Sequence, residues 1–539
     1  MRLAAMAMGM ATGMAMATGT TMQFRRLESG LGKRRAACVA QCVFVPVLWL
    51  GALQATAQSA APASKLLVQP RISLSSTLTD NLRLRDEGKD AALITTISPG
   101  LSISSGTGRV RGSLDYSLNG VIYTKSEASG QVQNKLAAKL SVEAIDNWFY
   151  VDAQASVGQQ AVSAFGTQST DPTLRSGNSS EVARLNVSPY IRGQLAGIAG
   201  YQVSANLLES RAKDSLAGDA SSRSLSMQLN GLSAGSLLNW SASLSDQLSQ
   251  ARGGREVETQ SATATLVVRP DVDWNFGVTG GAERQNFESL AKQSSTIYGV
   301  NAGWTPTVRT KLAAEWTHRR YGNSHSLTFE HRMARSVWRL TDSQSVNTGG
   351  LQGQANVLSN YELFYIQFSS IEPDPVRRDL LVRSFLRNLG LDPNALPTGG
   401  FLGGGASLTR SQALSLSVQG GPRTTLTMTL SQTKSRNLDQ DSPANGDLSR
   451  TGLVNQRMMS VSLAHRLTPN SSANILFSQQ RSRGAASGQQ TDMKSLTANW
   501  NGKLGVRTNV QFGLRHTRFD SPSQPYRESA ATATLVQQF

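Results

Sequence analysis

Three of the five histidines, His318, His325 and His331, fall within fourteen residues of one another, which raises a metal site or an Asp–His hydrolase of the barrel-protease kind. Neither the i, i+2 nor the i, i+4 ligand spacing occurs, so polar wall residues are the plainer reading, and His465 and His516 stand alone. Gly231-Leu232-Ser233-Ala234-Gly235 matches the G-x-S-x-G nucleophile elbow. That motif needs a strand, a sharp turn and then a helix, whereas Ser236 to Ser249 alternates as a further strand, so the glycines mark a hairpin turn. A third set is cationic. Arg377, Arg378, Arg383 and Arg387 lie between Asp374 and Gly390, where they would narrow a pore or meet an anionic polymer, or else form the solvated face of a capping helix. No catalytic triad, metal ligand set or cofactor-binding motif emerges, and the expectation is a protein that is not an enzyme.

The arginine set sits on the one segment that reads as helix. Asp374 at the N-cap, Pro375 at the first helical position and Gly390 past the end bracket it. Val376, Leu380, Phe385, Leu386 and Leu389 form one apolar stripe, and Arg383 and Arg387 share a turn-to-turn row. Everything around this segment alternates with period two, the signature of strands with one apolar and one polar face. Val110, Gly112, Leu114, Tyr116, Leu118, Gly120 and Ile122 oppose Arg109, Arg111, Ser113, Asp115, Ser117 and Asn119. The same pattern recurs in Leu225, Met227 and Leu229, in Leu414, Leu416 and Val418, and in Leu426, Met428 and Leu430. The helical insertion spans 346–405.

Connections alternate too. Short turns such as Gly106-Thr107-Gly108, Asp146-Asn147, Pro270-Asp271, Pro306-Thr307, Pro469-Asn470 and Asn501-Gly502 suit tight hairpins. Longer polar loops over 81–91, 125–131, 161–180, 211–221, 436–455, 483–490 and 520–528 lie between them. Short turns at one rim and long loops at the other predict an all-β fold, a transmembrane antiparallel outer-membrane β-barrel of about 22 strands (18 to 24), with both ends on the short-turn side. No stretch past residue 57 is apolar for long enough to span as a helix. Alternation starting near residue 70 leaves no room for an N-terminal plug domain of the TonB-dependent kind.

The first 57 residues read as an export signal with an extended n-region: Lys33, Arg34 and Arg35, an apolar run from Ala36 to Leu53, then Ala55-Thr56-Ala57. Cleavage would remove both cysteines, Cys38 and Cys42, and with them any disulfide. The charge would fall from +17 to about +12, with 47 basic against 35 acidic residues. An exported chain meets little nucleic acid. Its cations, Arg109 and Arg111 among them, are better placed in an anion-favouring lumen or against lipopolysaccharide phosphates. Residues 58–69 read as a linker and 70–539 as the barrel. Leu535 and the terminal Phe539 resemble the signal read by the barrel assembly machinery, although Gln537 interrupts it. Tryptophans near turns, including Trp148, Trp240, Trp274, Trp304, Trp338 and Trp500, fit an interfacial girdle, the alternative being sugar-stacking platforms in the lumen.

Thr79-Asp80-Asn81-Leu82, then Ile97-Ser98-Pro99-Gly100-Leu101, then Leu114-Asp115-Tyr116, together with Asp374-Pro375-Val376-Arg377 and its Phe385-Leu386 and Gly390-Leu391 end, resemble the outer-membrane proteins associated with the PEP-CTERM/exosortase system. That resemblance implies a Gram-negative outer membrane, a place beside exopolysaccharide loci and no established catalytic residue. The expected function is a pore or surface-assembly component linked to exopolysaccharide and PEP-CTERM protein export. A rim-site hydrolase and a general anion-selective porin are the competing readings.

Overall fold

The computed structural model describes residues 66–539 apart from 107, 125–128, 233–236, 354–357, 370–371, 373, 390–398, 422, 439–445 and 487. The signal segment 1–57 lies outside the described residues, as do Gly390, Leu391 and the centre of the 231–235 motif.

Period-two alternation gives each strand an apolar and a polar face. In lipid, backbone groups on an open sheet edge would have no partner, so such strands are stable only when the sheet closes. It closes here. Twenty-two strands, from Leu67–Thr79 to Tyr526–Gln538, form one antiparallel sheet, each pairing with its neighbours in sequence. First and last strands pair through Leu74↔Leu535 and Leu78↔Ala531. The barrel thus begins at Leu67, three residues inside the expected linker.

Apolar side chains face outward, where lipid accommodates them: Ile72, Leu74, Leu225, Leu244, Val278, Leu463 and Phe512 are all exposed. Ser, Thr, Asn and Gln face inward, and hydroxyls pair across adjacent strands at Ser204–Ser226, Ser222–Ser249 and Thr265–Thr279. Trp240, Trp274, Trp304, Trp338 and Trp500 share the outward face with Leu266, Phe276, Leu312, Leu416 and Phe512. All five sit toward the short-turn rim. They form a girdle, and the lumen platforms are set aside.

Short connections are as tight as the sequence predicts. At Asp146-Asn147, Asn147 takes a φ of 54°, a left-handed conformation that asparagine tolerates. Two expected turns move: Asn501-Gly502 lies within Gln490–Lys503, after which the chain reverses over 504–507, and Pro306-Thr307 ends Gln293–Thr307, after which it reverses over 308–309. The helical content also departs from the single expected helix. Between strands Ser336–Asn347 and Ser407–Gln419 run two helices, α1 (Asn360–Phe368) and α2 (Pro375–Leu389). A short α3 (Asp447–Thr451) sits in the 438–452 loop.

Candidate functional site

The site is the lumen, and the helical insertion enters it. Asp374 caps α2 as the sequence predicts, its carboxylate accepting from the Arg377 amide at 2.8 Å. Ser359 and Glu362 cap α1 reciprocally in a capping box. The two helices pack through aromatic rings, with Phe364 and Phe368 each 5.0 Å from Phe385. Phe364, Val382 and Leu386 are fully buried, and Phe368 nearly so, together with the inward-facing wall residue Ala464. Of the expected stripe, the structure describes the side chains of Phe385 and Leu386. Val382 belongs to the cluster as well.

The insertion reaches the short-turn end of the lumen. Gln367 accepts a hydrogen bond from Ser417, near the end of its strand, at 3.2 Å. Arg332, at the last position before a short turn, donates to Ser369 and to the Val308 carbonyl. Helix α1 rests on strands Ser336–Asn347 and Ser407–Gln419, and α2 on Leu453–Thr468 and Ser471–Gly484. Inward residues of that arc are buried, as at Ser415, Ser417, Thr425 and Ser472.

The arc of strands between Leu67 and Leu195 differs. Its inward-facing charges are Arg71, Arg111, Lys135, Lys139, Arg184 and Arg192 against Asp115, Glu143 and Asp152. Arg71 and Asp115 form a bidentate pair at 2.6 and 2.7 Å. Lys135 and Lys139 are exposed. Asp152 Oδ1, Arg184 Nη2 and Asn186 Oδ1 are buried atoms with no hydrogen-bond partner among the described residues. What remains open beside the hairpin is polar and net cationic.

Loops close over the long-loop mouth. Residues 162–178 fold inward and are fixed by Arg515, which binds Asp171 at 2.9 Å and Glu528 at 2.8 Å. Asp447, on α3, accepts from the Ala164 amide at 2.6 Å and from Ser163. Burial pushes its carboxyl above the ordinary range. Leu174 of the 162–178 loop packs with Leu82, Tyr123, Phe519 and Tyr526. A polar cleft of about 850 Å³ remains between Arg83, Glu87, Arg175, Glu181 and Lys213. It opens where residues 131–135 extend past the last pair with the next strand, Leu136↔Val157. Across that seam the Glu181 carboxylate accepts from the Asn134 amide at 2.8 Å.

The arginines divide. Arg377 is exposed. Arg378 stacks 4.8 Å over Tyr365 and donates to the Glu372 carbonyl. Arg383 pairs with Asp379 at 2.9 Å, and Tyr361 donates to the same carboxylate at 2.6 Å. Burial, with that carboxylate beside it, pushes the Tyr361 phenol well above its usual range. Two of the four therefore brace the hairpin. The Arg387 side chain lies outside the described residues. Arg111 faces the lumen at the short-turn end, whereas Arg109 sits on the turn itself and pairs with Asp146. Leu535 faces outward, and the Phe539 amide donates to the Pro70 carbonyl at 3.0 Å.

The histidines do not converge. His318 stacks on Tyr298, His331 meets Thr310, and His325 lies 3.2 Å from Asp342, whose carboxylate is already engaged by Arg410 at 2.6 Å. No group of metal-ligating side chains occurs among the described residues.

The closed wall, apolar outer belt and polar lumen define an outer-membrane-type transmembrane β-barrel occluded from within by its own mid-chain hairpin. No family model matches the chain, and no curated protein matches it. Similar solved structures include the FrpB iron transporter of Neisseria meningitidis (F5-1 variant), 12% identical over 87% of this chain and 82% of that one, with a TM-score of 0.46. The siderophore receptor PirA of Pseudomonas aeruginosa is 10% identical over 89% and 81%, with a TM-score of 0.41.

Proposed function

We propose that the protein is an outer-membrane conduit for an anionic, hydroxyl-rich polymer, gated by the α1–α2 hairpin. The observation that carries this is the unequal lumen: a hairpin docked on one arc, and beside it an open inner wall with six cations against three carboxylates. A 22-stranded wall encloses far more space than small solutes need, so its internal hairpin acts as a gate. Neighbouring rows of Ser, Thr, Asn and Gln suit a chain of sugar hydroxyls. An exopolysaccharide, in the setting of PEP-CTERM protein export, is the cargo that the family resemblance favours. On this reading the signal segment is cleaved, the barrel assembly machinery recognises Leu535 and Phe539, and no cofactor takes part.

Planar-bilayer conductance of the refolded full-length chain tests it. Replacing 354–398 by a short linker should raise conductance by about tenfold, as expected for unplugging a wide lumen, with anion selectivity retained. A silent or cation-selective deletion barrel refutes the proposal. Small anions passing freely through the intact chain would instead indicate a general porin.

A further inference from the structure

The outer face of the barrel is as unequal as the lumen. On the four strands between Thr424 and Lys503, the outward positions nearest the long loops carry Lys434, Arg436, Arg457, Arg481, Arg483 and Lys494 with one carboxylate, Asp492. On the four strands between Ser179 and Ala251 the matching positions carry Arg211 and Arg223 against Glu181, Glu209 and Asp246.

Register sharpens the contrast. Arg457 and Arg481 are direct cross-strand partners, a juxtaposition of like charges that disfavours pairing unless an anion intervenes. Asp492 neutralises Arg481 at 2.7 Å. Neither Arg457 nor Lys434 nor Lys494 makes an ion pair among the described residues. One outward position below Gln412, Gln432 and Arg457 the wall turns apolar over Leu340, Leu414, Leu430 and Met459, and the same row continues into Gln479 and Lys494. The apolar residues, with Gln479 beside them, Gln412, Gln432, Arg457 and Arg481 above, and the Asp342 carboxylate held by Arg410 at 2.6 Å, line a groove of about 670 Å³ on the lipid-facing surface.

A groove with an aliphatic floor and a cationic upper edge, lying across the boundary of the apolar belt, fits an amphiphile whose head is anionic and whose tails are hydrocarbon. We infer that this face binds a phosphorylated glycolipid of the outer leaflet. Phosphate is held between Arg457 and Arg481 with Lys434 alongside, sugar hydroxyls meet Gln412, Gln432 and Gln479, and acyl chains lie on Leu414, Leu430 and Met459. Guanidinium groups suit phosphate because they donate in a planar fork. Cations at the edge of the belt cost little compared with cations at its middle, and each adds attraction to an anionic surface. The inference rests on the outer-membrane placement proposed above but not on the conduit activity.

Binding of fluorescently labelled bis-phosphorylated lipid A to the refolded full-length barrel in phosphatidylcholine vesicles tests it. Heat-dependent gel mobility certifies the fold of each sample, so loss of the barrel is told apart from loss of the site. The double substitution Lys434→Glu with Arg457→Glu should weaken binding by at least about tenfold, one charge-assisted contact being worth roughly that factor. Arg211→Glu with Arg223→Glu should leave it unchanged. If the charge reversal prevents folding, Lys434→Gln with Arg457→Gln should still weaken binding severalfold. Equal binding by wild type and both Lys434/Arg457 variants, equal loss in the Arg211/Arg223 variant, undiminished binding of dephosphorylated lipid A, or displacement by millimolar inorganic phosphate would each overturn the assignment.

Discussion

Two arcs of one wall, built from the same period-two strands, behave differently because of what lies inside them. Against strands between Ser336 and Gly484 the hairpin buries hydroxyls such as Ser417 and covers Ala464 with phenyl rings. Along strands between Val110 and Leu195 the lumen-facing Lys135 and Lys139 stay exposed. The wall itself is held by backbone pairing that closes on itself, so it does not depend on what fills it. The contrast teaches that plugging is a separate packing event, driven by a small aromatic core, which can be undone without unfolding the barrel.

The strongest way to break the contrast is to hollow that core. Leu386→Ala removes a fully buried side chain between two helices and should weaken docking by about 2–5 kcal/mol. Hydrogen exchange should then accelerate throughout α1 and α2 while strand amides keep their protection, and open-channel events should become more frequent. Uniform acceleration across strands would mean that wall and plug form one cooperative unit.

A weaker perturbation acts on the open arc. Lys135→Glu combined with Lys139→Glu reverses two exposed lumenal charges and should lower the anion preference severalfold with no change in hairpin exchange, since fixed wall charge sets which ions a pore favours. Unaltered reversal potentials would show that current does not pass along this arc.

Much of the wall was legible beforehand, because a strand declares its two faces locally and the alternation of short and long connections fixes an even count. That alternation reads as about 22 strands (18 to 24), and the closed sheet has twenty-two. Helix α1 was not, and the cause lies in its composition. Tyr361-Glu362-Leu363-Phe364-Tyr365-Ile366-Gln367-Phe368 is apolar nearly all round and rich in aromatic residues that favour strands, so neither amphipathic period stands out. The readable signal was Ser359 followed three residues later by Glu362, a capping box at the start of an apolar run. The basic outer band could also have been found: in Leu426-x-Met428-x-Leu430-x-Gln432-x-Lys434 the outward row changes character at one position. The burial of Ser417 and the bracing roles of Arg378 and Arg383 depend on contacts between distant segments, which no local pattern encodes.

The smallest effect concerns the mouth, where a loop is tied by a titratable group rather than by an apolar core. Asp447 is buried under 162–165, and burial raises its carboxyl above the ordinary range. A raised folded-state value means that the folded contact prefers the proton. Its stabilisation is therefore complete below the ordinary carboxylate value of about 3.9 and is lost as pH climbs through the raised value. Exchange at the Ala164 amide, which donates to this carboxylate, should be slower at mildly acidic than at neutral pH after correction for intrinsic rates. Asp447→Asn keeps a carbonyl acceptor but cannot ionise, so it should flatten that dependence, while α1 and α2 should exchange alike at both pH values. A pH response that persists in the asparagine variant would assign the titration to another group at the mouth, and one that appears in the hairpin would couple the two closures.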